Sequence, residues 1–397
     1  MWSPESLRFG AFLAPFHPLS GNPTLQLRRN LDLMEFLDHI GYDEAWMGEH
    51  HSTGSEIVAD PTLFIAAAAE RTKRIRFGTG VVSLPYHHPL ITADKVLQLD
   101  HQSNGRLILG TGPGKLPLDA YMQGIDTDQQ RRMQGEALDA IVRLLRGETV
   151  SMETDWFTLR DARLQLRPYS HQGIEVSAAS TISPSGSVLA GTNGLSLLSL
   201  AAASDAGFEA LDRNWEIYEK VSAENGHIAD RANWRVLTPI FLAETREEAE
   251  RAVSHRLPEL VRYVLGLEGQ TANPPEWARS VDGILEQWRT DTLGEWGKVV
   301  IGTPEDAIQQ IEALIEKTGG FGTLLLIHYD MAGWDETKRS YELFANEVIP
   351  HFRRSNVQRE ASLQYHQDNA EMLMGNWVRG IENAQKDYDA RGAVGKA

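Results

Sequence analysis

Short apolar runs alternate with longer segments of helical periodicity along most of this chain. The first run, residues 7–13, is followed by Leu27, Leu31 and Met34 at helical spacing, and Gly41 stands where that helix would end. Repetition of this order predicts eight strand and helix units. The predicted strands are 7–13, 42–47, 75–82, 107–111, 174–178, 195–200, 236–242 and 323–328. The predicted helices are 24–40, 61–72, 91–101, 129–146, 184–190, 207–226, 247–265, 304–317 and 336–348.

Eight apolar strands separated by helices are typical of a closed parallel barrel, because strands that are covered on both faces lose polar alternation. A doubly wound sheet is the competing architecture. That fold normally carries a glycine-rich phosphate loop after its first strand, and residues 14–23 contain no such fingerprint. The sequence therefore predicts an α/β fold, a (β/α)8 TIM barrel, over residues 1–355.

Three regions exceed a minimal barrel of about 250 residues. Residues 149–167 contain Trp156-Phe157-Thr158-Leu159 and predict a β-hairpin insertion. Residues 268–297 contain three tryptophans and predict a lid, since long loops in compact domains are usually functional or mobile. Residues 356–397 are charged and predict a helical C-terminal tail, formed by a peripheral pair of helices.

Composition narrows the classes of partner. The chain has 397 residues and a formal net charge of −17, which repels nucleic acid and anionic membrane surfaces. It contains no cysteine, which excludes disulfides, thiolate nucleophiles and Cys-ligated metals. No apolar run approaches the roughly 20 residues that span a bilayer, and the N-terminus lacks the pattern of a signal peptide. We expect a soluble, unprocessed cytoplasmic protein.

The loops after the predicted strands are rich in histidine. In a parallel barrel these loops form the active-site mouth. Six of the 13 histidines would lie there, and chance placement would seldom collect so many, although a lone histidine near a strand end is more often structural. Paired carboxylates are few at the mouth, which disfavours a glycosidase. The six histidines are His17, His50, His51, His87, His88 and His328.

Two loops have compositions that suit parts of a cofactor: one could bind a phosphate, and the other could lie against a flat ring. Residues 180–187 supply hydroxyls and backbone N–H groups at a helix N-terminus, where a dianionic phosphate binds well; a solvated loop with a helix cap has the same composition. Residues 110–115 are no P-loop, because Leu116 stands where Ser or Thr is needed. Their glycines, like Gly80, would let a flat ring approach the backbone.

Two mechanisms remain open on the residues alone. A metal-dependent hydrolase would activate water on zinc or manganese, but adjacent histidines on an extended segment point to opposite sides, so one would be wasted. Its ligands would be His17, His50 or His51, His88 and Asp330. A flavin enzyme would place its ring over the glycine-rich strand ends and its phosphate in the serine loop. His50 would then be a neutral donor or acceptor that moves a proton at the ring.

A set of motifs spreads over residues 7–352. They are Phe9-Gly10-Ala11-Phe12-Leu13, Gly41-Tyr42-Asp43-Glu44-Ala45-Trp46, Glu49-His50-His51, Gly78-Thr79-Gly80-Val81, Leu99-Asp100-His101-Gln102-Ser103, Ser183-Pro184-Ser185-Gly186 and Gly302-Thr303-Pro304-Glu305. Together they resemble the bacterial luciferase α chains and the luciferase-like flavin monooxygenases. Gly112-Pro113-Gly114 and Asp119-Ala120-Tyr121-Met122 are most similar to limonene monooxygenase-type members of that family.

The resemblance implies roles for particular residues. His50 matches the histidine beside C4a of the flavin, where a (hydro)peroxide forms, and is the expected catalytic residue. Pro113 stands where luciferases have a phosphate-binding arginine, so the charge partner must come from elsewhere or the cofactor is held more loosely. The implied cofactor residues are Gly80 and Val81, matching a cis peptide against the ring, Gly112 beside C4a, and Ser183, Ser185 and Gly186 at the phosphate.

The resemblance also implies a reaction and partners. Reduced FMN, or FAD in its place, would react with O2 and transfer one oxygen atom to a small apolar organic substrate. A separate NAD(P)H flavin reductase would supply the reduced flavin. Helices 61–72 and 91–101 are expected to form a homodimer interface. A deazaflavin-dependent dehydrogenase on the same fold stays open as an alternative. The expected substrate pocket consists of Phe12, Phe16, Trp46, Tyr86 and His87, of which Phe12 and Trp46 fit the core equally well.

Overall fold

The computed structural model describes residues 2–13, 16–202, 204–267, 273–290 and 299–394. The chain divides into two compact units, Met1–Ile349 and Pro350–Ala397, whereas the sequence predicts a division after residue 355. Among the described residues, no helix is both long and apolar enough to cross a membrane.

Eight parallel strands close into a barrel in the first unit, which confirms the predicted (β/α)8 TIM-barrel fold. They are β1 Arg8–Leu13, β2 Glu44–Met47, β3 Arg76–Thr79, β5 Leu107–Gly112, β8 Glu175–Ser180, β9 Ser196–Ser199, β10 Trp234–Leu242 and β12 Thr323–His328. Closure occurs at β10, whose first residues pair with both β9 and β12. The strands are buried along most of their length, which explains why the sequence shows apolar runs without alternation.

Four further strands lie outside this set. β4, Val82–Ser83, follows β3 and pairs with β5. β11, Val300–Gly302, pairs with the far end of β10 and was not predicted. β6, Val150–Glu153, and β7, Thr158–Ala162, form an antiparallel hairpin within the insertion predicted at 149–167.

Helices cover the outside of the barrel in the first unit. They are α1 Pro23–Ile40, α2 Pro61–Arg71, α3 Pro89–Gln102, α4 Pro117–Met122, α5 Gln130–Leu145, α6 Ser185–Asn193, α7 Asp205–Glu224, α8 Arg246–Val253, α9 Leu257–Leu267, α10 Val281–Thr290, α11 Pro304–Thr318 and α12 Trp334–Leu343. α13 Ile349–Arg353 begins at the last residue of the first unit, and α14 Val357–Val394 belongs to the second unit. α1 ends at the predicted Gly41, which is left-handed, and the side chain of Asn22 caps its start.

Two predictions about helices are wrong. The sequence predicts one helix over 247–265, but it is broken between α8 and α9, because Pro258 fits the first turn of a helix and cannot continue an earlier one. The tail was predicted as a pair of helices, but residues 357–394 form the single helix α14. That segment contains no proline, and an interior glycine costs a helix only about 1 kcal/mol, so Gly375 and Gly380 do not end it.

The lid predicted at 268–297 is described only in part, since residues 268–272 and 291–297 lie outside the described residues. Between them, a 3-10 turn at Glu276–Arg279 precedes α10. Trp277 and Trp288 of this stretch pack against an apolar cluster that buries Phe16 and residues of α8 and α9. We call this group of side chains the insertion cluster.

Charged residues fill the barrel at the amino ends of its strands. Arg235 binds both carboxylate oxygens of Glu44, at 2.7 and 2.8 Å, and reaches Oε1 of Glu175 at 2.7 Å. Burial acts to raise the pKa of both carboxyl groups, but Arg235, together with Arg8 near Glu44 and Arg76 near Glu175, outweighs burial, so each pKa lies below its usual range. This network lies at the end of the barrel opposite the mouth, and its role is structural.

Trp46 fills the middle of the barrel directly above this network. It has no exposed surface, and its indole N–H donates to Glu44 Oε2 at 2.9 Å. Gly78 and Gly110 make room for the ring: a Cβ on Gly78 would lie 2.1 Å from Cδ2 of Trp46, and one on Gly110 would lie 2.7 Å from Cζ3. The flat ring that approaches Gly110 in this structure is therefore a tryptophan of the chain itself.

Replacement of Gly110 by alanine is expected to destabilise the barrel by about 1–3 kcal/mol, because overpacking forces neighbouring groups to move. The new Cβ would lie 2.0 Å from the carbonyl oxygen of Thr79, a backbone atom that cannot rotate away. Gly135→Ala in α5 is the matched control: its Cβ meets nothing within 4 Å, so alanine should stabilise that helix by up to about 1 kcal/mol. Urea unfolding measures both, and equal stability of the two variants would contradict the packing argument.

Candidate active site

His50 lies between two carboxylates at the mouth of the barrel. Its Nε2 is 2.7 Å from Oε2 of Glu56, and its Nδ1 is 3.4 Å from Oδ2 of Asp119. Glu56 belongs to the loop between β2 and α2, and Asp119 belongs to α4, which follows β5. The two carboxylate side chains are only 9% and 2% exposed, so water screens their charges poorly.

The two carboxylates set the charge of His50. Burial opposes the charged ring, but Asp119 and Glu56 outweigh burial and raise the pKa of His50 to about 9. In turn His50 lowers the pKa of each carboxyl group against the effect of burial. His50 is therefore an imidazolium at neutral pH, whereas the sequence predicts a neutral ring. The difference arises because acidic residues from two separate segments, the β2–α2 loop and α4, converge on His50.

Glu49 joins three segments of the mouth. Its Oε1 accepts hydrogen bonds from Nε2 of His51 at 2.9 Å and Nε2 of His87 at 2.7 Å, and its Oε2 accepts one from the backbone N–H of Ser83 at 2.9 Å. Glu49 thus orients His51, His87 and the segment after β3. The loop that carries His50 is held by Asp119 instead, whose Oδ1 accepts from the backbone N–H of His51 at 3.2 Å.

The six predicted cofactor residues lie at the carboxyl ends of neighbouring strands. The Gly80–Val81 peptide bond is cis and precedes β4, Gly112 ends β5, and residues 183–186 lead from β8 into α6. β4 pairs with β5, and β5 pairs with β8, with adjacent strands about 4.8 Å apart. The residues therefore form a line across the mouth, and β2, which leads to His50, pairs with β3 beside it.

Close packing supports the two ends of this line. A Cβ on Gly112 would lie 2.6 Å from Cγ2 of Val81, so the absence of a side chain lets β5 approach the cis segment. A Cβ on Gly186 would lie 2.1 Å from the carbonyl oxygen of Ala179, so glycine lets the first turn of α6 approach β8. The hydroxyls of Ser183 and Ser185 are 3.0 Å apart at that helix N-terminus. The residues present fit a flat ring at one end and a phosphate at the other.

The predicted pocket residues are divided between the core and the mouth. Trp46 is enclosed in the core, as described above, and Phe12 packs there too, with its Cε2 atom 2.4 Å from where a Cβ of Gly80 would lie. Phe16 is buried in the insertion cluster. Tyr86 and His87 are half-buried at the mouth. These positions favour the core interpretation for Trp46, and the pocket role of the other four stays a prediction.

The Pro113 loop is tied to Tyr86 through Gln130. Nε2 of Gln130 donates to the carbonyl oxygen of Pro113 at 2.8 Å and to Oη of Tyr86 at 3.1 Å. Burial, with the charge of Asp119 adding to it, raises the pKa of Tyr86 to about 12. Pro113, the position that the resemblance matches to a phosphate-binding arginine, thus takes part in packing at the mouth.

The ligands considered for a metal hydrolase lie in different environments. Nε2 of His17 is 2.8 Å from Nδ2 of Asn30, and Asp330 pairs with Arg256. His88 lies edge-on to Phe157 of the hairpin, with ring centroids 6.2 Å apart. Within the described ranges, no group of three or more His, Asp or Glu residues is placed to hold a metal ion.

Sequence reasoning missed Glu56, Asp119 and Tyr263. Tyr263 in α9 donates a hydrogen bond to Oε1 of Glu56, the oxygen that does not face His50. Asp119 occurs in a motif that carried the family resemblance, which was a usable signal, but the resemblance assigned it no role. Glu56 and Tyr263 had no such signal, since an acidic residue in a loop and a tyrosine in an amphipathic helix are common in any enzyme.

The fold is that of a known class: the family model "Luciferase-like monooxygenase" matches residues 7–320, and the chain belongs to that family of enzymes. It is 44% identical to limonene 1,2-monooxygenase of Rhodococcus erythropolis over 97% of both chains. It is 43% identical to 4-hydroxyprotoasukamycin monooxygenase of Streptomyces nodosus subsp. asukaensis, over 88% of this chain and 94% of the other. The predicted family, with its limonene monooxygenase-type members, is confirmed.

One solved structure is similar to this chain over most of the length of both proteins. It is the oxygenating constituent of 3,6-diketocamphane monooxygenase from Pseudomonas putida, a type II Baeyer–Villiger monooxygenase in complex with FMN. The match has a TM-score of 0.69 and 27% identity, and it covers 87% of this chain and 98% of that one. The present protein is accordingly a monooxygenase on the luciferase-like barrel.

Proposed function

We propose that this protein uses reduced FMN and O2 to transfer one oxygen atom to a small, mainly apolar organic substrate. The observation that carries the proposal is the line formed by Gly80–Val81, Gly112 and residues 183–186 across the mouth, beside the charged His50. The FMN complex of the 3,6-diketocamphane enzyme and the likeness to limonene 1,2-monooxygenase support the cofactor and the substrate class. FAD in place of FMN is compatible with the same line.

The chain's own residues would divide the work between the two ends of the cofactor. Ser183, Ser185 and the backbone N–H groups of α6 would bind the phosphate, while Gly112 and the Gly80–Val81 segment would face the ring. The electrons that activate O2 would come from the reduced flavin. The positive charge of His50 would stabilise developing negative charge on oxygen, and its Nδ1–H, which lies 3.4 Å from Asp119 and makes no hydrogen bond among the described residues, would donate a proton. Glu56 and Asp119 would keep that ring charged and oriented.

We also infer a two-component system, in which a separate NAD(P)H flavin reductase delivers reduced flavin. The relative of known structure is itself described as the oxygenating constituent of its enzyme, which supports this arrangement. A homodimer through α2 and α3 is part of the same proposal. Leu63 on α2 is 73% exposed and Ile91 on α3 is 53% exposed, and these apolar groups suit an interface between copies. A cytoplasmic location stays a prediction.

Oxygen labelling tests the reaction class. The purified chain, FMN, a flavin reductase with NADH, and limonene or a related terpene would be incubated under 18O2, and the products analysed by mass spectrometry. We expect one 18O atom per product molecule, because the transferred atom comes from O2. In a parallel incubation in H2(18)O under unlabelled O2, incorporation of the label would indicate a hydrolase. In an anaerobic incubation with a deazaflavin, oxidation of the substrate would indicate a dehydrogenase. Failure to bind any flavin would also overturn the proposal.

A further inference from the structure

Tyr263 stands at the end of the row of polar groups that contains His50. Its Oη donates to Oε1 of Glu56, and Oε2 of the same carboxylate lies 2.7 Å from Nε2 of His50. An ionised carboxylate can only accept, so the direction of the first contact is fixed. We infer that Tyr263 is a positioning residue, which holds Glu56 in the orientation that pairs it with His50. The inference rests on the proposed function only for the catalytic role of His50.

Tyr263 is itself held in place by the surrounding structure. Its ring packs against Phe16, with centroids 5.3 Å apart, inside the apolar insertion cluster. The first turn of α9 is attached to the loop after β1, because a carboxylate oxygen of Glu259 accepts a hydrogen bond from the backbone N–H of Leu19 at 2.7 Å. Arg256, just before α9, pairs with Asp330 after β12. The phenol therefore reaches Glu56 from an anchored helix.

Glu56 needs a second partner to stay oriented. Its backbone forms an antiparallel bridge with Phe16, and burial opposes the charged form of its side chain. His50 and Tyr263 both lower the pKa of Glu56 against that effect, and Lys115 adds a smaller one. Without the phenol O–H, Oε1 would be a nearly buried charged acceptor that has lost its donor. Such a group tends to rotate toward another donor or toward water, and that rotation weakens its contact with His50.

Three groups besides Tyr263 act on the charge of His50, and a fourth acts on Glu56. Asp119 from α4 and Glu56 from the β2–α2 loop favour the imidazolium, while the neighbouring ring of His51, which is itself raised in pKa by Glu49, opposes a second positive charge. Lys115, after β5, acts on Glu56. Among these charged groups, Glu56 is the one to which Tyr263 has a described hydrogen bond. Removal of the Tyr263 hydroxyl should therefore act on His50 through Glu56.

The test is a titration of His50 by NMR in the full chain without flavin, with histidine labelled at Cε1 and the signal assigned by its loss in His50→Gln. In the wild type we expect a midpoint near pH 9. Tyr263→Phe should lower the proton affinity of His50 by about tenfold, one pKa unit. Glu56→Gln should lower it at least as far, and Tyr263→Phe should have no further effect in the Glu56→Gln background, because both changes act on one contact.

Tyr218→Phe is the matched control, since Tyr218 is a buried tyrosine whose hydroxyl donates to the carbonyl oxygen of Leu195 at 2.8 Å, away from the mouth. It should leave the titration of His50 unchanged. An unshifted His50 midpoint in folded Tyr263→Phe, or an equal shift in Tyr218→Phe, would overturn the inference. If Tyr263→Phe does not fold, Tyr263→Met removes the same O–H with a flexible apolar side chain and is judged by the same outcomes.

Kinetics give a second readout. In the pH profile of kcat, we expect Tyr263→Phe to shift the alkaline limb to lower pH by about one pH unit, the same shift as in the His50 titration. KM for the organic substrate should be unchanged. A change in KM with an unshifted profile would indicate a purely structural role and would contradict the inference. The NMR result is independent of turnover, so failure of the proposed monooxygenase reaction and failure of the Tyr263 inference are distinguishable.

Discussion

Replacing His50 with alanine is expected to lower the rate of oxygenated product formation by about 100-fold or more, the usual contribution of a positioned proton donor. The variant loses the positive group that lies between Glu56 and Asp119 at the mouth. Reduced flavin should still react with O2, but the activated oxygen would be lost as hydrogen peroxide. The measurement is the ratio of peroxide to product under saturating reduced FMN.

A matched control is His171→Ala, which removes an exposed histidine outside the site and should leave this ratio unchanged. His50→Gln separates charge from shape, because glutamine can donate a hydrogen bond but cannot carry a positive charge. We expect His50→Gln to resemble His50→Ala. Wild-type coupling in both His50 variants would remove this residue from the mechanism.

Replacing Arg235 with methionine is expected to reduce the free energy of unfolding by about 3–5 kcal/mol, the usual cost of removing one partner from a buried ion pair. Arg235 is fully buried and satisfies both oxygens of Glu44 and one oxygen of Glu175. Methionine fills much of the same volume but leaves two carboxylates without their main cation. Urea unfolding, followed by circular dichroism, measures the loss.

Arg251→Met provides the exposed counterpart. Arg251 is 77% exposed and lies 3.9 Å from Glu248, so its removal should cost less than about 1 kcal/mol. Adding Glu44→Gln and Glu175→Gln to Arg235→Met should recover part of the lost stability, because the uncompensated charges are then gone. Similar losses for Arg235→Met and Arg251→Met would show that the buried network contributes little.

Much of the fold was predictable because its signals are local. The apolar runs mark strands that are covered on both faces, and Asn22 and Gly41 bound α1 as caps do in other helices. The predictions were wrong where the presence or absence of a proline decides whether a helix continues. Pro258 separates α8 from α9, and the absence of proline keeps α14 in one piece.

The chemical state of the site was less predictable. His50 could be placed at the mouth because it follows a strand, yet its charge depends on Asp119 from another strand's loop and on Glu56. Glycines near the strand ends suggested the approach of a flat ligand ring. Gly110 in fact makes room for Trp46, since the same lack of a side chain can admit either kind of ring.

By itself, the sequence determined the barrel, the family, and the position of His50 at the mouth, because periodicity, caps and motifs are written in consecutive residues. Only the tertiary structure decided that His50 is an imidazolium, that Arg235 neutralises the opposite end of the barrel, and that Tyr263 reaches Glu56 across 207 residues of chain. The physical reason is that electrostatic interactions depend on distance and burial, and these are set only when separate loops are brought together by folding.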